Sequence, residues 1–481
     1  MGSSNTTNPT VFSGIAAADD VKEPFRPLKP EDVRSYIHEA VDFICDYYTT
    51  VESMPVLPDV KPGYLQHEFM ASPPTYPAPF HVTMKELKAS IIPGMTHWAS
   101  PNFFAFFPAT NSAVAIAGDL IASAMNTVGF TWQAAPAATE LEVLALNWLA
   151  QLLHLPDTFM SHTATGDRGT GGAVILGTTS EAMLVTLVAA RDAALRRSGS
   201  VRVFGMPGLV VYAGDQTHST FFKACRLAGF DPANIRSIPA GPETQYALDP
   251  AKLLEAMQAD VDVGLVPTYV CATRLHLPGA PPPPQRRRAR GLHQRHPHKW
   301  LLTCLDCTCL YVRDAHRLSD SMETNPEYLK NDATDSHEVT DLKDMQIGLG
   351  RRFRGLKLWM VMRTYGPAEL QEHIRSDVNM AKLFEGLVRT DHRFEVVVPR
   401  NFAMVCFRIK ARGAITEEAA DEVNRVLMKN LNKTGKAYFA HTVLSDRILL
   451  RFAVGSSLQE ERHVRSAWEL IKRTTNDLMM D

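Results

Sequence analysis

The sequence predicts an α/β protein that combines a mostly parallel central sheet with a small α+β domain at its C-terminal end. Short apolar strands alternate with helices from Ala173 to Ala272, which is typical of a parallel sheet covered by helices. Beyond about residue 395 the order changes to strand, helix, two strands and helix, and this predicts a separate compact unit. With 481 residues, 45% of them hydrophobic and 21% charged, the chain can bury a large core.

The N-terminal part is predicted to be polar at first and then helical. From Pro30 to Tyr48, apolar residues recur at helical spacing. Residues 51–82 contain many prolines and indicate a connector, and a second amphipathic stretch spans 84–92. The expected organisation is a mobile N-terminus at 1–27, an N-terminal helical segment at 28–110, a large domain at 111–394 and a small C-terminal domain at 395–481.

Each later element is predicted from its apolar pattern. In the large domain, strands are expected at Ala173–Leu176, Leu209–Ala213 and Val263–Ala272, and helices at Glu140–Leu153, up to Arg197 and at Ser219–Leu227. In the small domain, the expected order is a strand at Phe402–Ile409, a helix at Glu417–Leu431, two strands within Ala437–Val454 and a helix at Glu460–Thr475.

The balance of charge excludes several function classes. Lys and Arg number 50 against 52 for Asp and Glu, a net charge of −2, so bulk electrostatics favour neither a nucleic-acid nor a membrane partner. The N-terminus has no signal-peptide pattern, and no apolar stretch is long enough to cross a bilayer. Seven cysteines, an odd and sparse number, indicate a reducing compartment, and we expect a cytoplasmic protein. Because Cys304, Cys307 and Cys309 lie in an apolar run, we expect buried cysteines rather than metal ligands.

Three polar positions are candidates for chemistry. Lys299, in Pro297–Trp300, is a candidate covalent anchor for an aldehyde cofactor such as pyridoxal phosphate. The turn 177–180, between a strand and a helix, offers hydroxyl groups and free N–H groups to a phosphate, although Thr178 and Glu181 would also form an ordinary capping box. His218 closely follows a strand, where it could contact a ligand or simply cap the next helix.

Two other regions have a structural and a functional interpretation. The segment 97–132 is rich in aromatic residues, which is typical of packing but also of a pocket for an aromatic ligand. The polar stretch 318–342 is either surface or a mobile lid. Tyr328 lies within it and could deliver a proton once a lid closes.

Together these residues resemble a known family. The chain resembles plant aromatic L-amino acid decarboxylases, which are pyridoxal-phosphate enzymes of fold type I, and within them it is most similar to tryptophan decarboxylases of grasses. The resemblance runs from about residue 28 to the C-terminus, except for roughly 274–295. The matching blocks are 97–98, 100–108, 177–182, 215–219, 297–300, 325–331, 351–354 and 356–359.

The resemblance implies a role for each matching position. Lys299 would carry pyridoxal 5'-phosphate as a Schiff base, His218 would stack on its ring, and Tyr328 would supply the proton after carbon dioxide leaves. The implied cofactor contacts are Thr179, Ser180, His218, Thr273, His296, His298 and Lys299. The implied pocket for the aromatic side chain is formed by Trp98, Phe106, Phe107, Pro108, Phe130 and Gly350. No metal is implied.

The resemblance also implies a reaction and an assembly. The expected reaction converts L-tryptophan to tryptamine and carbon dioxide. Gly350 matches a glycine of members that act on indoles, whereas a tyrosine or phenylalanine decarboxylase is the alternative. Aldehyde synthases of the family have phenylalanine at the position of Tyr328, so tyrosine favours simple decarboxylation. The family is homodimeric, and the N-terminal segment is expected to wrap the partner subunit.

One segment departs from the family. The 25 residues between Thr273 and Lys299 include no acidic residue, whereas the family has there a strand ending in an aspartate that pairs with the pyridine nitrogen. Residues 276–298 are dominated by Pro, Arg, Ala, Gly and His, as in GC-rich coding sequence read out of frame, and we interpret them as a frameshift or splice error. A catalytically impaired relative is therefore the second hypothesis, and nucleic-acid binding through Arg286–Arg290 is a weaker third.

Overall fold

The computed structural model describes residues 25–161, 170–198, 208–244, 246–272, 291–324, 326–336, 339, 341–411 and 416–480. The helices are α1 Pro30–Thr50, α2 Tyr64–Glu68, α3 Phe80–Glu86, α4 Ala113–Met125, α5 Pro136–Leu152, α6 Thr179–Arg197, α7 Thr220–Leu227, α8 Pro250–Asp262, α9 Pro297–Trp300, α10 His316–Met322, α11 Asp332–Asp335, α12 Gly355–Thr390, α13 Glu417–Lys433 and α14 Glu461–Met480. The strands are β1 Gly172–Leu176, β2 Leu209–Gly214, β3 Ile235–Ile238, β4 Val266–Cys271, β5 Leu292–Arg295, β6 Thr308–Val312, β7 Phe394–Val396, β8 Met404–Ile409, β9 Ala440–Leu444 and β10 Arg447–Ala453.

These elements agree with the sequence-based expectations to within a few residues. The strand expected to begin at Val263 is shorter, because Val263 still caps α8 and Gly264 turns the chain with a φ of +80°. β4 therefore begins only at Val266. The long helix α12 consists of two helices that meet at Gly366, where φ is +67° and Pro367 follows.

The large domain contains two three-stranded sheets. In one, β2 pairs in parallel with both β3 and β4. In the other, β6 lies between β1 and β5 and is antiparallel to both, so β1 and β5 run in the same direction. Every residue of β1, β2 and β6 is buried, as expected for strands that are covered on both faces.

Helix α6 connects the two sheets. On one side, Thr186 Oγ1 lies 3.1 Å from the hydroxyl of Tyr269 in β4. On the other, the side-chain amide of Gln294 in β5 donates to the carbonyl of Thr179 over 3.2 Å. Among the described residues no strand joins β4 to β5. Both sheets therefore contact the same helix.

The C-terminal unit has its own core. Its sheet has the order β7-β8-β10-β9, all antiparallel, and is packed by α13 and α14. Aromatic rings fill the interior, where Phe384 stacks on Phe452 with 3.6 Å between ring centroids and meets Trp468 edge-on. This core, which also includes Phe104, makes the C-terminal unit continuous with the aromatic segment near residue 104.

The cysteines that resemble a metal motif lie in the core. Cys307 and Cys309 are fully buried among apolar side chains of β1, α5 and α12, and all seven cysteines are free. Within the described ranges, no group of three His, Cys, Asp or Glu side chains could hold a metal ion. Of the helices described, none is both long and apolar enough for a membrane span.

Candidate active site

The candidate site lies where the carboxyl ends of three strands meet. β1 leads through a short turn to Thr179, β2 leads to His218, and β5 leads to Lys299. The ring of His296 lies within hydrogen-bond distance of Thr179 Oγ1, at 3.2 Å from Nδ1. The charge of Lys299 in turn affects the ionisation of His218. The fold therefore brings together residues that are 120 positions apart in the sequence, at the edge where open α/β sheets bind ligands.

Lys299 is held by a short helix between two strands. Its backbone N–H donates to the carbonyl of His296 over 2.9 Å, and its ammonium group lies 5.8 Å above the ring of Phe107. Although much of Lys299 is solvent-accessible, partial desolvation and the nearby Arg451 guanidinium lower its pKa. A lower pKa increases the fraction of neutral amine, which is the form that reacts with an aldehyde.

The N-terminus of α6 forms the predicted turn. Thr178 caps the helix by accepting from the N–H of Glu181 over 3.2 Å, and Glu181 Oε2 accepts from the N–H of Gly177 over 2.9 Å. The capping box is therefore formed. It does not use the hydroxyl groups of Thr179 and Ser180, and Ser180 lies 3.4 Å from the Thr220 hydroxyl of the neighbouring helix. A cluster of hydroxyl groups thus surrounds the N-terminus of α6, a helix of 19 residues, and this arrangement suits a phosphate.

The three histidines are held in their uncharged form. Burial, followed by the charge of Lys299, lowers the pKa of His296 to about 3. Desolvation lowers the pKa of His218 as well, with Lys299 and Arg451 contributing. His298 is buried, its Nδ1 lies against the backbone of Cys307, and desolvation lowers its pKa too.

Aromatic side chains form one wall of the site. Phe107 contacts both Lys299 and Arg451, whose guanidinium carbon lies 5.5 Å from the ring centroid. Trp98 stacks on Phe106 with centroids 5.7 Å apart, and both remain more than 40% exposed in the single chain. Pro108 is buried next to Gly455, and Phe130 is half-buried.

Two predicted residues, Tyr328 and Gly350, are not part of this cluster, and a third is not described. Tyr328 lies on a short turn and is 76% exposed, and no hydrogen bond or ring contact joins it to another described residue. Gly350 is exposed, and a Cβ built there would meet nothing within 4 Å. Thr273 lies outside the described residues, as do most of segment 274–296 and the arginine run at 286–290.

Several residues of the site carried no sequence signal. Arg451 comes from β10 of the C-terminal unit, more than 150 positions after Lys299, so no local motif includes it. Thr110 donates its backbone N–H to the carbonyl of His298 over 2.8 Å. The indole N–H of Trp300 donates to Asp377 over 2.6 Å, which ties the lysine helix to α12.

The residues fit most of a pyridoxal phosphate group. Two buried polar atoms next to the lysine, Thr110 Oγ1 and Arg451 Nε, have no hydrogen-bond partner in the described part of the chain, as expected where a polar ligand belongs. The lysine amine and the hydroxyl cluster match the aldehyde and the phosphate. For the pyridine nitrogen, the described residues offer no match. No carboxylate is among the described charges that act on Lys299, His218 or His296.

Comparison with known proteins assigns the family. Residues 62–274 and 293–410 match the model described as "Pyridoxal-dependent decarboxylase conserved domain". The chain is 70% identical to "Tryptophan decarboxylase 1" of Oryza sativa subsp. japonica and 45% identical to "Aromatic-L-amino-acid decarboxylase" of Catharanthus roseus, in both cases over all of each chain. The crystal structure of Oryza sativa TDC with PLP and tryptamine superposes with a TM-score of 0.90 at 70% identity, covering 95% of this chain and 100% of that one.

The comparisons also locate the departure. The family model does not match residues 275–292, and the alignment with the rice enzyme, at 517 positions, is 36 longer than this chain of 481. The interruption falls in the part of the sequence between β4 and β5. Outside it, motifs, fold and sequence agree, and the chain belongs to the pyridoxal-dependent decarboxylase family.

Proposed function

We propose that this protein decarboxylates aromatic L-amino acids with pyridoxal phosphate, and that L-tryptophan is converted to tryptamine and carbon dioxide. The proposal rests on one observation above all: Lys299, His218 and the N-terminus of α6 meet at one sheet edge beside an aromatic wall. The rice relative, at 70% identity, is named a tryptophan decarboxylase, and this supports tryptophan as the substrate.

Each residue of the site has a separate role in the proposed reaction. Lys299 anchors the aldehyde through its amine, and Thr179 and Ser180 donate to the phosphate together with the N–H groups of α6. His218, whose pKa is lowered by burial, would pack against the cofactor ring without adding a competing positive charge. The cofactor, when bound, withdraws the electrons left on the α-carbon as carbon dioxide departs. Tyr328 holds the proton for that carbon on its hydroxyl group.

The aromatic wall selects the side chain of the substrate. Trp98, Phe106 and Phe107 provide rings against which an indole can pack. A Cβ at Gly350 meets open space, so Gly350→Ser is tolerated by the fold and adds a hydroxymethyl group at the position that the resemblance assigns to the substrate pocket. We expect this variant to lower kcat/KM for tryptophan relative to tyrosine, and unchanged relative values would contradict this role.

The test is a product assay on the purified full chain loaded with pyridoxal phosphate. We expect tryptamine from L-tryptophan, together with the visible absorbance of lysine-bound cofactor, and neither from Lys299→Ala. Chromatography of reactions with tryptophan, tyrosine and phenylalanine separates the three substrates. Bound cofactor without any amine product would refute the proposal.

A second candidate function is carried by the interrupted segment. The observation behind a relative that binds the cofactor but turns over slowly is that, in the described residues, no carboxylate is among the charges acting on Lys299, His218 or His296. Loss of a buried ion pair costs roughly 3–5 kcal/mol. If the same amount were lost from the transition state, the rate would fall by about two to four powers of ten. Cofactor absorbance combined with a residual rate of this size would support it.

We also propose a cytoplasmic homodimer whose N-terminal helical segment packs on the partner. None of the 21 residues of α1 is buried, and Val33, Tyr36 and Val41 of its apolar face are exposed. On α4, Leu120, Ile121 and Met125 are exposed as well. Apolar area of this kind favours association. Light scattering after gel filtration should give twice the chain mass of 53.3 kDa, and a monomer would contradict the proposal.

A further inference from the structure

A buried contact with α12 holds the residue that follows Lys299. The indole N–H of Trp300 donates to Asp377 Oδ2 over 2.6 Å, and Asp377 is only 1% exposed. Trp300 also packs on the core of the C-terminal unit, where its ring meets Phe402 edge-on with centroids 6.2 Å apart. The lysine helix α9 has only four residues, and so short a helix is not stable by itself. The contacts of Trp300 therefore decide how α9 is oriented.

Asp377 lies where three parts of the site meet. It bonds to Trp300 of α9, and a Cβ built on Gly455 would lie 3.9 Å from its Oδ2. The same Cβ would lie 3.7 Å from Pro108 of the aromatic wall. Gly455 follows closely after β10, the strand that carries Arg451. One carboxyl group on α12 thus contacts the lysine helix and lies beside the chain segments that supply Arg451 and Pro108.

The carboxyl group of Asp377 is largely shielded from water and from other charges. Burial raises its pKa to about 7, although the bond from Trp300 acts in the opposite direction. The titratable group beside it is His373, one turn earlier on α12, whose Nε2 lies 3.7 Å from Asp377 Oδ2. Desolvation lowers the pKa of His373, so the ring supplies little positive charge at neutral pH. A large share of Asp377 is then uncharged, and in that form it accepts from the indole as an amide oxygen would.

The orientation of α9 decides the surroundings of the Lys299 amine. In the structure the amine lies 5.8 Å above the ring of Phe107, and the guanidinium of Arg451 lies against the same ring. Partial desolvation and Arg451 together lower the pKa of Lys299. The other titratable groups that respond to the charge of Lys299 are His218, His296 and His298. An amine that turned out to water would lose both effects and become more fully protonated.

We propose that Asp377 is a positioning residue for Lys299: it fixes the indole of Trp300 and, through it, the lysine helix, so that the amine stays beside Phe107 and Arg451. Held there, more of the amine is neutral and able to react with an aldehyde. The inference rests on the proposed function in one respect, which is that Lys299 is the anchor.

The test is competitive labelling of lysines with acetic anhydride, read by peptide mass spectrometry. The purified full chain is first freed of any cofactor with hydroxylamine. Asp377→Leu removes the acceptor, and Trp300→Phe removes the donor but keeps an aromatic ring. At about pH 8, below the ordinary pKa of lysine, each variant should label Lys299 about two- to tenfold more slowly, the population shift that one hydrogen bond supports. The internal standard is Lys429, an exposed residue of α13.

The double variant separates positioning from a general loss of stability. If Asp377 acts through Trp300, Asp377→Leu combined with Trp300→Phe should label Lys299 no more slowly than the slower single variant. Asp377→Asn keeps an uncharged oxygen acceptor and should stay within about twofold of the unmodified chain. If circular dichroism shows that Asp377→Leu does not fold, Trp300→Phe tests the same bond. Adding Asp377→Asn to Trp300→Phe should then change nothing further.

A matched control breaks another bond between an indole and a carboxylate. Trp132 Nε1 donates to Glu140 Oε1 over 2.8 Å at an exposed position. Glu140→Leu removes this acceptor without touching the lysine helix, and labelling of Lys299 should stay unchanged.

Three results would overturn the inference: unchanged labelling of Lys299 in the single variants, effects that multiply in the double variant, or the same loss in Asp377→Asn as in Asp377→Leu. Labelling requires neither bound cofactor nor turnover. A chain that labels as expected but gives no cofactor absorbance and no amine product would contradict the proposed function and leave the role of Asp377 standing.

Discussion

Replacing Glu142 by glutamine is expected to destabilise the large domain and loosen the phosphate turn. Glu142 in α5 accepts from Arg351 Nη2 over 2.5 Å, and both side chains are less than 5% exposed. The same carboxylate oxygen accepts from the backbone N–H of Ile175 over 2.7 Å. Ile175 lies in β1, just before the turn that leads to Thr179. The ion pair therefore holds the strand that positions the proposed phosphate contacts.

The magnitude follows from burial. Removing one charge of a buried pair costs roughly 3–5 kcal/mol, because the other charge is left without compensation. Glutamine keeps an oxygen for Ile175, and Arg351 keeps its bond to Gln346 Oε1 at 2.6 Å, so we expect the lower end of this range, about 3 kcal/mol.

The matched control is Glu461→Gln. Its partner Arg465 is equally close, at 2.6 Å, but the two side chains are 61% and 54% exposed, so the cost should stay below about 0.5 kcal/mol.

The assay is urea unfolding of both variants, followed by titration with pyridoxal phosphate. We expect a lower unfolding midpoint for Glu142→Gln, an unchanged midpoint for Glu461→Gln, and weaker cofactor binding only in the first. If both variants lost the same small amount of stability, the argument from burial would be wrong. If stability fell while cofactor affinity did not, the link from Glu142 to the phosphate turn would be wrong.

Three further predictions follow from the site. Burial raises the pKa of Asp377 from 3.8 to about 7. The stability that this carboxyl group contributes is therefore complete below about pH 4 and is lost as the pH rises through 7. Asp377→Asn should make the melting temperature less dependent on pH between these values, and an unchanged pH profile would contradict this. Tyr328→Phe, exposed and far from the core, should keep cofactor absorbance but shift the product from amine towards aldehyde, which chromatography detects. Sequencing of full-length transcripts should reveal about 36 more codons near residue 275; an unbroken transcript encoding 274–296 would refute the frameshift.

Local patterns were sufficient for much of the fold and for the core of the site. The turn at 177–180 and the helix after it follow from capping and spacing, which depend on neighbouring residues only. Lys299 was identifiable from its local sequence, with a histidine before it and a tryptophan and an apolar run after it. Tyr328 and Gly350, in contrast, are exposed and contact no other site residue within the described chain, and their roles rest on the resemblance.

Contacts between distant segments could not be predicted in this way. Arg451 and Thr110 have ordinary local sequences. Arg451 comes from the C-terminal unit and meets Lys299 at the ring of Phe107, and Thr110 reaches the lysine helix through its backbone bond to His298. The buried partner of Glu142 is likewise 209 positions away. Sequence periodicity reports which face of an element is buried, but not which element covers it.

The sequence by itself therefore determined the fold class, the family resemblance, the anchor lysine and the absence of acidic residues before it, because each is encoded in adjacent residues. Only the tertiary structure decided which strands and side chains surround Lys299. Among the described residues, β4 and β5 lie in two separate sheets that both contact α6, and Arg451 and histidines with a lowered pKa lie around Lys299. The physical reason is that strand pairing and electrostatic environment are set by residues that meet in space, and the segment that would join the two sheets is the one that departs from the family.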